Sequence, residues 1–94
     1  MVNQVRIKVA NLGPEARAYR IALEDAPEAR LVAPINPLPV GAGRMSTTSV
    51  FVVLPASGFR GGERTVRFRI TDGDRWSEAF RYRLAGPRSG EVPR

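Results

Sequence analysis

Val66-Arg67-Phe68-Arg69-Ile70, then Asp72-Gly73-Asp74, then Phe80-Arg81-Tyr82-Arg83-Leu84 alternate apolar and basic residues on both sides of a turn. A period of two puts Val66, Phe68 and Ile70 on one side of an extended chain and the arginines on the other. Aspartate and glycine between two such runs are hairpin chemistry, because glycine reaches positive φ without a Cβ clash. The stretch predicts two paired strands with one buried and one basic face. Glu78 disturbs the pattern. If Phe80, Tyr82 and Leu84 face inward, strict alternation turns Glu78 inward too, and burying a lone carboxylate is costly. A bulge over Ser77 to Ala79, or a later strand start, is therefore expected.

The same period runs outward along the chain. Val5-Arg6-Ile7-Lys8-Val9 alternates strictly, and Asn11-Leu12-Gly13-Pro14 ends it with turn residues. In Arg17 to Glu24, Tyr19, Ile21 and Leu23 form the inward set. Leu31 and Val32 make a short apolar patch. Pro34 to Val40 carries three prolines and reads as an edge strand or a crossing between sheets, since proline cannot donate to a central ladder. Ser46 to Leu54 is rich in β-branched residues and reads as a central strand. Pro55 to Gly62 is a loop in which Phe59 tucks back under a sheet. No helix of useful length emerges; Ala16 to Asp25 alternates and is flanked by prolines. About seven short strands separated by turns predict an all-β, immunoglobulin-like antiparallel β-sandwich. The domain is placed at residues 3–87, with a disordered tail at 88–94.

Composition narrows the function. The 94 residues contain no histidine and no cysteine. Ser-His-Asp and Cys-His catalysis, zinc sites, covalent haem attachment and disulfides all need one or the other. A binding or structural module is expected, not an enzyme. No apolar run approaches the roughly 20 residues of a membrane span, and the first residues are no signal peptide. The net charge is +6, but of the 15 basic residues only Lys8 is a lysine. Such an arginine, alanine, proline and glycine bias is also what a GC-rich coding sequence gives, so charge alone does not name a polyanionic partner.

Arg67, Arg69, Arg81 and Arg83 are the candidate partner-binding face, because pairing of their strands sets all four on one outer surface. Such a face can clamp phosphate, nucleic acid or an acidic protein surface. It is equally what a solvated sheet face looks like, and inward-turned aromatics leave no stacking platform beside it. Trp76 is either an exposed anchor or a cap on one end of the core. Asp72 and Asp74 fall short of a calcium loop, which needs more oxygen ligands. Glu63 and the Gly58 to Gly62 stretch make no phosphate loop, as no Gly-Lys-Ser/Thr follows. Met1 and Met45 are the only thioethers, too few for a tight copper site without histidine or cysteine. No catalytic, cofactor-binding or metal residue is assigned.

Several segments, in order, resemble one family. Asn3 to Asn11 is similar to the opening "N-x-Y-x-L-K-I-x-N" strand of the C-terminal domain of FixG-type (CcoG/RdxA) cytochrome oxidase accessory proteins. Ala18 to Leu23 resembles their "x-Y-R-L-x-V" strand, and Val40 to Arg44 their "V-x-A-G-E" turn. Gly62 to Phe68 resembles "G-x-x-P-I-x-F", and Leu84-Ala85-Gly86-Pro87 the terminal "F-L-G-P". The likeness runs over residues 3 to 87, with departures at Arg44, where the family has an acid, and Thr65, where it has proline.

The resemblance implies an immunoglobulin-like module at the C-terminus of a larger membrane protein, on the periplasmic face of the inner membrane. Membrane spans and iron–sulfur clusters are implied for an upstream part, assisting cbb-type cytochrome oxidase assembly and copper handling. No cofactor is expected in this domain, and its expected partner is a protein of oxidase maturation, with no small-molecule substrate. The alternative is a free-standing, cytoplasmic nucleic-acid-binding β-domain using the arginine face. A third reading is a sandwich that completes a partner's sheet through an edge strand, against which the prolines of Pro34 to Pro39 weigh by blunting one edge.

Overall fold

The structure is a computed structural model that describes residues 1–86; the tail expected at 88–94 lies outside the described residues. Seven strands form two antiparallel sheets. In chain order they are β1 (Val2–Ala10), β2 (Arg17–Glu24), β3 (Arg30–Val32), β4 (Leu38–Val40), β5 (Met45–Val53), β6 (Glu63–Thr71) and β7 (Ser77–Ala85). One sheet has the order β1-β5-β3 and the other β4-β2-β6-β7. A single turn of 3-10 helix spans Ala56–Gly58. This is the immunoglobulin-like sandwich that the alternation predicts.

The core lies between the sheets. β1 contributes Val5, Ile7 and Val9, β5 contributes Val50 and Val52, and β6 contributes Val66, Phe68 and Ile70, all buried. Every second residue of these strands is inward, as a pleated chain requires. β5 sits between β1 and β3, the central place its β-branched run predicts. Phe59 is buried beneath the loop that follows β5, the plug expected from the sequence. The proline-rich segment does both things open to it. Residues 33–37 cross between the sheets, and β4 pairs along the edge of β2 with Pro39 in the edge strand.

β7 corrects the expectation at Glu78. No bulge interrupts the β6–β7 ladder, which is continuous from Thr71 opposite Ser77 to Glu63 opposite Ala85. Glu78 lies opposite Ile70 on the inner side of the strand, yet it is exposed. The reason is width: a three-stranded sheet faces a four-stranded one, and β7 overhangs. The inward aromatics share this. Phe80 is only half-buried and Tyr82 is 40% exposed. They lean on Phe68, with ring centroids 5.4 and 6.5 Å away.

Candidate functional site

The outer face of the four-stranded sheet carries the four arginines named from the sequence. Arg67 stands directly across from Arg81, Arg69 across from Ala79, and Thr65 across from Arg83. The ladder parity sharpens the first pair. Gly86 donates its N–H to the Gly62 carbonyl, so the even-numbered residues of β7 exchange hydrogen bonds with β6. Arg67 and Arg81 therefore form a non-hydrogen-bonded pair, the closer kind, with Cα atoms about 4.5 Å apart. Two guanidinium side chains are thus held side by side. Among the described residues neither makes an ion pair.

Carboxylates neutralise the other two in part. Arg69 donates from Nε to Glu24 Oε2 at 3.0 Å and from Nη1 to Ser77 Oγ at 2.8 Å. Arg83 Nη1 lies 3.5 Å from Glu63 Oε1, both side chains well exposed. The face also holds Arg20, which the sequence reading did not single out. Arg20 is exposed on β2 opposite Thr71, so it shares the surface with the other four. The signal was present: with Tyr19 and Ile21 inward, Arg20 must point out. Small residues, Ala18, Ala22 and Ala79, lie between the arginines, leaving a flat basic surface with room for arginine stems to lie down. Phe68 and Phe80 stack on the opposite side of the sheet.

The turn beside the hairpin is structural. Asp72 Oδ1 accepts the backbone N–H groups of Asp74, Arg75 and Trp76, and Oδ2 receives Arg17 Nη1 at 3.4 Å. The hydrogen bond from the Trp76 N–H, then that from Asp74, holds the Asp72 carboxyl below the ordinary aspartate range. Oδ1 is thus taken by the turn and Oδ2 by Arg17 of β2. Trp76 meets Tyr19 edge-on at 5.7 Å while staying 40% exposed, so it caps the core and keeps a free face. Met1 and Met45 sit at opposite ends of the β1–β5 ladder. Met1 exchanges hydrogen bonds with Leu54 at one end, and Met45 faces Ala10 at the other. Roughly 30 Å of strand separates them. Among the described residues no three His, Cys, Asp or Glu side chains gather, and a chain without cysteine does not fit an iron–sulfur cluster. No described helix is long and apolar enough to cross a membrane.

The fold and this surface define an immunoglobulin-like sandwich with one basic sheet face. The family described as "IG-like fold at C-terminal of FixG, putative oxidoreductase" matches residues 1–87. The chain belongs to that family, in agreement with the motifs quoted from its sequence. No curated protein matches it.

Proposed function

We propose that the chain is a non-catalytic protein-interaction module of a FixG-type accessory protein, acting at the periplasmic face of the inner membrane in cbb-type oxidase assembly and copper handling. The arginine face carries this reading. Arg20, Arg67, Arg69, Arg81 and Arg83 occupy one sheet surface on which, among the described residues, Glu24 and Glu63 are the only carboxylates paired with an arginine side chain, while Asp25 accepts the Arg67 backbone N–H. A cross-strand pair of like charges destabilises a sheet. Keeping Arg67 and Arg81 together is intelligible when an acidic partner surface neutralises them. A protein surface is favoured over nucleic acid because Phe68 and Phe80 stack inward, leaving no aromatic platform on this face for bases. Redox chemistry and the iron–sulfur clusters belong, on this reading, to an upstream part of the same protein, and copper passes without being held tightly here.

The test is site-specific crosslinking in cells that make a cbb-type oxidase. A photoreactive residue at Arg81 should capture an oxidase subunit or one of its assembly factors, and one at Thr47 on the opposite sheet should not. Equal capture from both positions would remove the arginine face as the docking surface. Tight stoichiometric copper or iron binding by the purified chain would overturn the non-catalytic, metal-free part of the reading.

A further inference from the structure

The two sheets come apart along one flank. There, β1 edges the three-stranded sheet and β7 edges the four-stranded one, each nine residues long. At one end a single side chain joins them. Asn3 Nδ2 donates to the Ala85 carbonyl at 3.0 Å, and Asn3 Oδ1 accepts the Ala85 N–H at 3.1 Å. Toward the other end the edges diverge around a cleft of about 450 Å³, with Ile7 and Val9 on one wall, Ile70, Trp76 and Phe80 on the other, Arg6 and Lys8 along the β1 rim and the exposed Glu78 as the one carboxylate at the β7 rim. Past Trp76 and Ala10 the cleft leads into a second hollow of about 460 Å³ bordered by Leu12, which is 89% exposed.

The edge of β1 is ready for a strand. Met1 exchanges both backbone hydrogen bonds with Leu54, and Asn11 donates to Arg44. Odd-numbered residues of β1 therefore pair with β5, and the N–H and C=O groups of Gln4, Arg6, Lys8 and Ala10 point away from the sheet. In a constant-type immunoglobulin sandwich the sheet order is A-B-E-D. Here β1, β5 and β3 take the B, E and D places. Among the described residues the outer edge of β1 is thus free to take up a further strand.

The geometry points to an occupant: we infer that β1 accepts an extended segment of a partner protein, alternating apolar and acidic residues, which adds as a fourth strand. Its inward side chains drop into the cleft against Val9, Ile70 and Phe80. Its outward carboxylates lie beside Arg6 and Lys8, which make no ion pair among the described residues. Charge selects against a second copy of this chain. Antiparallel self-pairing of β1 sets Arg6 and Lys8 against their own equivalents, and like charges across strands repel. The stretch from Arg6 to Leu12 has room for about five or six extended residues. This site is on a different surface from the arginine face and does not depend on it.

The probe is a blocked peptide of alternating glutamate and valine, about eight residues long, titrated into the 94-residue chain at low salt. Saturable binding is expected, with the backbone amide signals of Gln4, Arg6, Lys8 and Ala10 moving most. Lys8→Pro deletes an outward N–H without touching the β5 ladder, and should weaken binding by at least about tenfold. The double variant Arg6→Glu with Lys8→Glu should prefer a lysine–valine peptide, and it carries the test if the proline variant fails to fold. No saturable binding, or equal binding by Lys8→Pro, would overturn the proposal. So would self-association of the chain that Lys8→Pro abolishes, since a second copy would then be the occupant.

Discussion

The two flanks of the sandwich end in opposite ways. On the β3–β4 flank both edge strands are only three residues long, and the segment between them crosses from sheet to sheet and covers the gap. Pro39 removes a donor from that edge. Where β4 stops, Asn36 takes over: its amide accepts the Ile21 N–H at 3.0 Å and donates to the Ile21 carbonyl at 2.9 Å, extending the ladder by one step. On the β1–β7 flank both edges are long, and one asparagine, Asn3, makes the same paired contact only at the far end. The same device seals one flank and merely pins a corner of the other. Sandwich stability is therefore concentrated on the closed flank, while accessible backbone is concentrated on the open one.

Truncating the flank side chains tests that difference most strongly. Leu38 on β4 is 4% exposed, whereas Phe80 on β7 faces the cleft half-buried. Leu38→Ala should cost about 2–5 kcal/mol, the range for a fully buried leucine. Phe80→Ala should cost less despite the larger ring removed, because part of that ring is already in water. Urea denaturation of the two variants decides it; a greater loss for Phe80→Ala would mean that the open flank is as well packed as the closed one.

The asparagine pair gives a smaller contrast. Asn36→Ala strips both partners from the Ile21 backbone, where the two hydrogen bonds are part-buried, and should cost about 1–3 kcal/mol, the penalty for polar groups left unpaired. Asn3→Ala frees groups that water already reaches, and about 0.5–1 kcal/mol is expected. Equal losses in thermal unfolding would show that Asn3 holds the flank shut more firmly than the exposure of its hydrogen bonds implies.

These contrasts also mark what the sequence discloses. The hairpin of β6 and β7, the central β5 and the buried Phe59 were legible because alternation and β-branched content are local properties. The outward set of β6 and β7 followed from the same pattern, and Arg20 could have been added from the inward Tyr19 and Ile21. Glu78 escapes the pattern because alternation tells which side a residue faces, not whether anything lies opposite. The width of the facing sheet depends on pairing order, which periodicity does not encode. Asn3 and Asn36 were equally opaque. Locally each is an ordinary polar residue, and only the tertiary arrangement sets one beside Ala85 and the other opposite Ile21.

Acid should act on the end of the open flank through Asp72. Its carboxyl is held below the ordinary aspartate range by the Trp76 and Asp74 amides, with Arg17 nearby and Asp74 itself drawn toward Arg17 and Arg75. A depressed pKa in the folded state contributes stability that is present above the unfolded value and lost as pH falls through the folded one. Wild type should therefore exceed Asp72→Asn in melting temperature near neutral pH, and the gap should close below the ordinary aspartate range. Asparagine keeps an acceptor for the turn amides, so the gap is modest. A gap that persists unchanged into strong acid would assign the effect to the shape of the turn and not to its charge.

The smallest effect falls on the outer face of β7 and has the opposite sign. Arg81 stands across from Arg67 in a close, non-hydrogen-bonded pair, and among the described residues neither side chain makes an ion pair. Replacing it by glutamate turns a repulsion into an attraction, so Arg81→Glu should stabilise the fold by about 0.2–1 kcal/mol, more at low salt than at high. The same change should weaken capture of an acidic partner by that face. A variant that is both more stable and less able to bind would show that the arginine pair is maintained for contact at the expense of the sheet. If Arg81→Glu is destabilising at low salt, the two guanidinium groups are not repelling one another. The pair would then be a solvated surface whose long stems cover the small alanines beneath, and the basic face would lose its strongest claim to a partner.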